Sequence, residues 1–176
     1  EAFGVKSTFF VLGWNAEREP ALVKEIVRAG HEIASHGWNH TLVYRQSRAE
    51  FKDDIVRTKC LLEDICGKRV AGYRAASYSI TKQSVWALEV LAETGHLYDS
   101  SIYPIRRSVY GIPHERRTPH LKTVGSRQIA EFPMSTVRIG PWNLPFGSGA
   151  YFRVLPLGLT KLLITRHNKL GLPAVV

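Results

Sequence analysis

The sequence predicts an α/β fold, a mainly parallel β-sheet covered by helices, built either as an open doubly wound sheet or as a β/α barrel. Three observations carry this expectation. Short β-branched and aromatic runs alternate with longer stretches of helical periodicity. The connections between them are short, as strand–helix–strand crossovers require. The polar residues with chemical character fall just after the strand-like runs, where such folds place their sites. Gly-rich phosphate loops, the mark of a nucleotide-binding version, do not occur in the sequence.

Each element has its own signal. Ser7-Thr8-Phe9-Phe10-Val11-Leu12 is a run of strand length and composition. A helix is expected from Pro20, a residue favoured at the first helical position, through Leu22, Val23, Ile26 and Val27 to a stop at Gly30. His31 to His36 reads as the next strand. Ser47-Arg48-Ala49-Glu50 is a capping box, in which serine and glutamate side chains satisfy backbone N–H groups that a helix start leaves unpaired. It opens a helix that buries Phe51, Ile55, Leu62 and Cys66 and ends at Gly67. Val70 to Ala75 is a third strand, and Thr81 caps a helix carrying Val85, Leu88 and Leu91, closed by Gly95. Leu97 to Ile102 is a fourth strand. Arg106 to Arg127 reads as a basic loop, Gln128 to Thr136 as a strand, and Pro156 to Leu170 as the last helix. Arg166, His167 and Lys169 in its final turn suit the helix dipole. Ala174-Val175-Val176 reads as the start of another strand.

At 176 residues the chain is expected to be one domain, 1–176, with a single substantial core. No apolar run approaches the roughly 20 residues that span a bilayer, so no membrane span is expected. The chain opens Glu1-Ala2-Phe3-Gly4 without a start methionine, so it is expected to be part of a longer protein. Cys60 and Cys66 fall on different faces of one helix, which speaks against a mutual disulfide and for reduced thiols. The expected location is the cytoplasm, with the cell envelope as the alternative. Of the net charge of +9, the stretch from Arg106 to Arg127 supplies +5, with six basic residues against Glu115. Such a Pro/Arg-rich loop suits an anionic polymer or nucleic acid, but a solvated insertion is the more common explanation of such a run. No nucleic-acid motif accompanies it, so no nucleic-acid partner is expected.

Three polar sets lie at three successive strand ends: His36-Gly37-Trp38-Asn39-His40, Arg74-Ala75-Ala76-Ser77-Tyr78, and Asp99 to Pro104. Alone, each has an ordinary reading. His36 and His40 serve as metal ligands or as surface and core histidines, Arg74 as an ion-pair partner, Asp99 as a strand-end cap. Gly37 and Asn39 suggest a loop or a first helical turn, in which two imidazoles could converge on one ion. Together the sets predict that His36 and His40 aim at one point, on the same face as Arg74 and Asp99.

The segment Thr8 to Gly13 with Gly30-His31-Glu32-Ile33-Ala34-Ser35-His36-Gly37-Trp38-Asn39-His40 resembles the second signature of the NodB-homology polysaccharide deacetylases, carbohydrate esterase family four. Gly72 to Ile80 is similar to the third signature, and Tyr98 to Pro104 to the fourth. Glu131-Phe132-Pro133 and Gly147 to Arg153 resemble the deacetylases of exosortase/PEP-CTERM exopolysaccharide loci. The resemblance implies a deformed (β/α) barrel that removes acetyl groups from N-acetylhexosamine units of a polysaccharide. It implies a divalent metal, zinc, on His36 and His40, and it gives Arg74 the role of holding a general-base aspartate. The Tyr78 N–H would donate to an oxyanion, and Asp99 would tune a general-acid histidine. Trp38, Tyr103 and Tyr151 would line a sugar groove, although core packing suits each as well. The family's base-bearing Asp signature and its His-bearing last signature have no match in the sequence. Ala76 and Ala150 stand where the family has proline and glycine. The expected domain is therefore an incomplete barrel lacking its first and last catalytic motifs, and inactive by itself. A non-catalytic polysaccharide-binding fragment or pseudoenzyme is the alternative.

Overall fold

A computed structural model describes residues 4–176; the opening residues Glu1, Ala2 and Phe3 lie outside the described part. Its centre is a six-stranded sheet made of β1 (Thr8–Val11), β2 (Glu32–Ser35), β3 (Gly72–Tyr73), β4 (Tyr98–Asp99), β5 (His120–Val124) and β6 (Arg127–Glu131), in the order β1-β2-β3-β4-β6-β5. All neighbours run parallel except β5, which pairs antiparallel with β6 at one edge. The sheet stays open among the described residues, with β1 and β5 at its edges. This is the expected mainly parallel α/β architecture, short of a closed barrel.

Among the described residues six α-helices accompany it: α1 (Gly13–Arg18), α2 (Pro20–Arg28), α3 (Arg48–Cys66), α4 (Ala87–Glu93), α5 (Gly149–Val154) and α6 (Leu157–Lys169). The start of α3 is the capping box read from the sequence, with Glu50 N–H bonded to Ser47 Oγ and Ser47 N–H bonded to Glu50 Oε2 at 2.8 Å. Gly67 ends it at φ 63°, a left-handed turn that glycine adopts without a Cβ penalty. Phe51, Ile55, Thr58 and Leu62 recur at helical spacing and are fully buried. Each large apolar side chain among them contributes roughly 1.5–3 kcal/mol by burial. Phe51 meets Tyr73 of β3 and Trp86 edge-on, each at 5.7 Å between ring centroids. One apolar cluster thus joins α3, α4 and β3, and a second joins Ala16, Val23, Ile33, Leu62 and Val70 beneath α1 and α2.

Several elements depart from the sequence expectation. The helix placed at Thr81 begins only at Ala87, because Ser84 Oγ takes the Thr81 N–H and donates to Ser79 O, holding residues 81–86 in turns. The basic stretch is not all loop: it contains β5, joined to β6 through Gly125-Ser126. The strand placed at 128–136 ends at Glu131. A separate hairpin follows, β7 (Thr136–Ile139) with β8 (Trp142–Pro145). Residues 174–176 form no strand, although Ser135 N–H donates to Val175 O and Val175 N–H to Ser135 Oγ. Cys60 and Cys66 are free thiols. No helix among the described residues is long and apolar enough to cross a membrane.

Candidate metal and active site

Parallel register lines up the strand ends. Ser35, Tyr73, Asp99 and Glu131 are successive partners across β2, β3, β4 and β6. Side chains alternate between faces along a strand, so this row points one way and the next residues along, His36, Arg74, Ser100 and Phe132, point the other. Tyr73 packs into the helix-covered core, whereas Arg74 and Ser100 line an open cavity together with Thr8, Phe10, Tyr98 and Phe132.

His36 leaves β2 on the open face, and its Nδ1 lies 2.6 Å from Arg74 O. A carbonyl only accepts, so Nδ1 carries the proton and Nε2 keeps a free lone pair. Burial is the main cause that lowers the His36 pKa below its ordinary value, against the effect of the Arg74 carbonyl; His40 and Arg74 add to the lowering. The imidazole is thus neutral, as a metal ligand must be. His40 holds φ 63°, a left-handed conformation that a residue with a Cβ seldom adopts. The loop that sets it is anchored by Asp54 of α3, which accepts the Trp38 N–H on both carboxylate oxygens at 3.1 and 3.2 Å. The two imidazoles meet edge-on with centroids 5.1 Å apart. Two histidines sharing a tetrahedral ion through nitrogens at about 2.0–2.1 Å would place their centroids roughly 5 Å apart. A ligand nitrogen left free while the other donates to a backbone carbonyl is also the usual outer-shell arrangement. The centroid spacing therefore matches that of two ligands of one divalent ion. No cluster of three His, Cys, Asp or Glu side chains suited to a metal occurs among the described residues.

Arg74 lies across the open face. Its Nε donates to Ser100 O at 3.0 Å and its Nη2 to Ser100 Oγ at 2.8 Å, while its guanidinium carbon sits 4.3 Å from the Phe10 ring centre. Burial lowers its pKa, and among the described residues no carboxylate forms an ion pair with it. The turn after it corrects one expectation. The Tyr78 N–H closes a 3-10 turn onto Ala75 O at 3.1 Å, so it is engaged and not free to face an oxyanion.

Asp99 is also corrected. It does not share the face of His36 and Arg74, because strand alternation turns it into the core, where both it and Glu131 are fully buried. Asp99 accepts from Ser101 N–H at 3.0 Å and from Ser101 Oγ, which in turn accepts the Ala75 N–H at 2.7 Å. Glu131 Oε1 accepts the Ile102 N–H at 3.2 Å, and Oε2 is buried without another partner. Burial, with the Asp99 charge beside it, holds Glu131 well above the usual carboxylate range, and burial raises Asp99 as well. Two buried carboxyls side by side therefore favour holding a proton between them. This pair braces the turn that carries Arg74.

The expected groove aromatics divide. Tyr103 is fully buried, packed edge-on against Tyr78 at 5.3 Å and Tyr151 at 6.4 Å, so it supports the surface without reaching substrate. Trp38 is stacked by the Arg57 guanidinium at 3.3 Å and backed by Gly13, where an added Cβ would lie 2.4 Å from the ring. Its ring is thus held by packing on Arg57 and Gly13. Tyr151 remains half-buried with its hydroxyl bonded by Arg107 Nη2 at 2.7 Å. Sequence reasoning missed Asp54 and the role of Glu131, since each depends on a contact between distant segments.

Residues 1–96 match the family model described as polysaccharide deacetylase, and residues 100–176 match a domain of unknown function, DUF3473. The chain is similar to a peptidoglycan-N-acetylglucosamine deacetylase of Bacillus cereus, 39% identical over 69 residues that make up 39% of this chain and 23% of that protein. A chitooligosaccharide deacetylase of Bradyrhizobium is 31% identical over 88 residues, covering 50% of this chain and 40% of the relative. Among solved structures, a Mycobacterium smegmatis protein described as a polysaccharide deacetylase superposes with a TM-score of 0.64 at 32% identity, covering 76% of this chain and 42% of that one. The chain spans less than half the length of these three proteins.

Proposed function

The chain belongs to the polysaccharide deacetylase family, and from that premise we propose that it forms part of a zinc-dependent hydrolase removing N-acetyl groups from N-acetylhexosamine units of a polysaccharide. The likeness of Glu131-Phe132-Pro133 and the 147–153 segment to exosortase/PEP-CTERM deacetylases supports exopolysaccharide synthesis as the setting. One observation carries the reading: the His36 and His40 imidazoles meet edge-on with centroids 5.1 Å apart, with His36 tied to the Arg74 carbonyl. His36 and His40 would hold the metal, which when bound polarises the acetamide oxygen and lowers the pKa of attacking water. Arg74 offers the side of its guanidinium not bonded to Ser100 to a general-base carboxylate supplied by chain outside these residues. Asp99 and Glu131 act from the core side, fixing the β4 and β6 ends against which Arg74 is held.

Calorimetric zinc titration tests the assignment. His36→Ala and His40→Ala should each lower zinc affinity at least about tenfold, since a lost ligand is worth more than a lost outer-shell contact. Arg74→Ala should keep its zinc affinity and, in a complete enzyme, lose turnover. Equal loss of zinc in all three variants would make Arg74 structural. A second reading, polysaccharide binding without turnover, is favoured by the absence of a three-ligand cluster among the described residues. It predicts oligosaccharide binding unaffected by His36→Ala.

A further inference from the structure

A second cleft lies beside the aromatic surface that ends at Tyr151. It has a volume of about 330 Å³ and is lined by residues 104–107, by Pro113 and His114, and by 141–145 of the β7–β8 hairpin. Asn143 fastens the hairpin across it, its Nδ2 donating to Pro104 O at 2.8 Å and to Pro113 O at 3.3 Å. Trp142 stays 62% exposed, a large indole left open to solvent at the cleft wall. The charge is one-sided. Segments 104–114 and 138–145 contain Arg106, Arg107, His114 and Arg138 and no acidic residue. The neighbouring Glu115 is taken up by Lys122 at 2.6 Å and approached by His120 at 3.6 Å, so it does not neutralise the cleft. Arg107 joins this cleft to the candidate active site. It bonds Tyr151, Tyr151 packs on Tyr103, Tyr103 on Tyr78, and the Tyr78 ring lies 6.0 Å from the Arg74 guanidinium carbon.

We propose that this cleft is a binding subsite for acidic sugar units, so that the polymer acted on carries carboxylates beside its N-acetylhexosamines. The inference rests on the deacetylase reading for the position of the reacting sugar. Its chemistry comes from the cleft itself. Arg106 presents a planar fork that matches a carboxylate in two-pronged fashion, and Arg107, with Nη2 on the Tyr151 hydroxyl, adds its charge and its other N–H groups. Trp142 offers a flat apolar face of the kind on which a pyranose ring packs. A neutral glycan would leave the arginine charges without a partner, while a uronate unit would meet both features at once.

The test compares two oligosaccharides of equal length on the 176-residue protein by calorimetry at fixed ionic strength. One is hyaluronan hexasaccharide, in which glucuronate alternates with N-acetylglucosamine; the other is neutral chitohexaose. The hyaluronan probe should bind at least about tenfold more tightly, the scale of one charge-assisted hydrogen bond. The double variant Arg106→Ala/Arg107→Ala should remove that preference, and Trp142→Ala should weaken both sugars. Lys24→Ala/Arg28→Ala, an equal charge loss on exposed α2 positions, should leave the preference intact. Equal affinity for the two probes, no binding of hyaluronan, or an equal effect of the α2 variant would overturn the proposal. Zinc titration of the same samples separates the two readings: failed zinc uptake with an intact acidic preference defeats the metal assignment and leaves the subsite standing.

Discussion

Replacing Glu131 with glutamine probes the buried carboxyl pair beneath Arg74. Glutamine keeps the shape, its amide oxygen can accept the Ile102 N–H, and its amide N–H can donate to Asp99 in place of the shared proton. Asp99 would then have three donors, counting the Ser101 N–H and hydroxyl, and would stay charged. In the wild type the pair holds a proton that the unfolded chain releases near the ordinary carboxylate pKa, about 4.3. A group whose folded pKa is raised contributes stability that is complete below the unfolded value and is lost as pH rises toward the folded one. Between those limits the folded state binds one more proton than the unfolded state. Wild-type stability should therefore fall from this source as pH rises above the unfolded value, by at most about 1.4 kcal/mol per pH unit, and Glu131→Gln should lack that slope. Urea unfolding of both proteins at pH 5, 6 and 7 measures the difference, and titrations common to the two cancel. The gap should widen steadily in favour of the glutamine variant as pH rises. Parallel profiles would show that no proton is shared. Glu131→Ala, which leaves the buried Ile102 N–H without its acceptor while Asp99 keeps its two Ser101 donors, should instead cost roughly 1–3 kcal/mol.

His96, 2% exposed, is held down to about 4, chiefly by burial and then by the Lys59 charge. The folded state thus refuses a proton that the unfolded chain accepts near 6.5, and this site should remove up to about 3 kcal/mol of stability as pH falls from 6.5 toward 4. His96→Leu should flatten that limb in acid-unfolding curves, and an unchanged limb would exclude His96 as its source. Gly72→Ala should cost about 1–3 kcal/mol in urea unfolding, because the new Cβ would lie 2.1 Å from Tyr98 Cζ and push that ring off its bond to Glu32. Ser47→Ala should cost about 1 kcal/mol through the lost cap of α3; a neutral result would mean that tertiary packing alone fixes the helix start.

Local signals in the sequence were reliable where the structure uses local physics. The Ser47–Glu50 box, Pro20 at the start of α2 and Gly67 at the end of α3 act as their chemistry requires. The pairing of His36 with His40 was also readable, since four residues with an intervening glycine keep both on one loop. The β5–β6 hairpin was missed because Lys122 and His120 made the stretch look solvated. The signal was nevertheless present in Gly125-Ser126, a two-residue turn with Gly125 at φ 57°. Gly140-Pro141 marks the second hairpin in the same way, with Gly140 at φ 57°. The side of the sheet on which Asp99 lies was not readable. A strand side chain changes face with each residue, so a strand boundary misplaced by one residue reverses the assignment. Its pairing with Glu131 joins segments 32 residues apart through sheet register, which spacing along the chain does not reveal.

Diffraction at the zinc absorption edge from zinc-soaked crystals bears most directly on the metal assignment. A single anomalous peak should appear within about 2.0–2.1 Å of one ring nitrogen of His36 and one of His40, with the His36 nitrogen being Nε2, and it should vanish in His36→Ala. Zinc bound elsewhere with nothing between the two imidazoles, or a peak of undiminished height in His36→Ala, would contradict it.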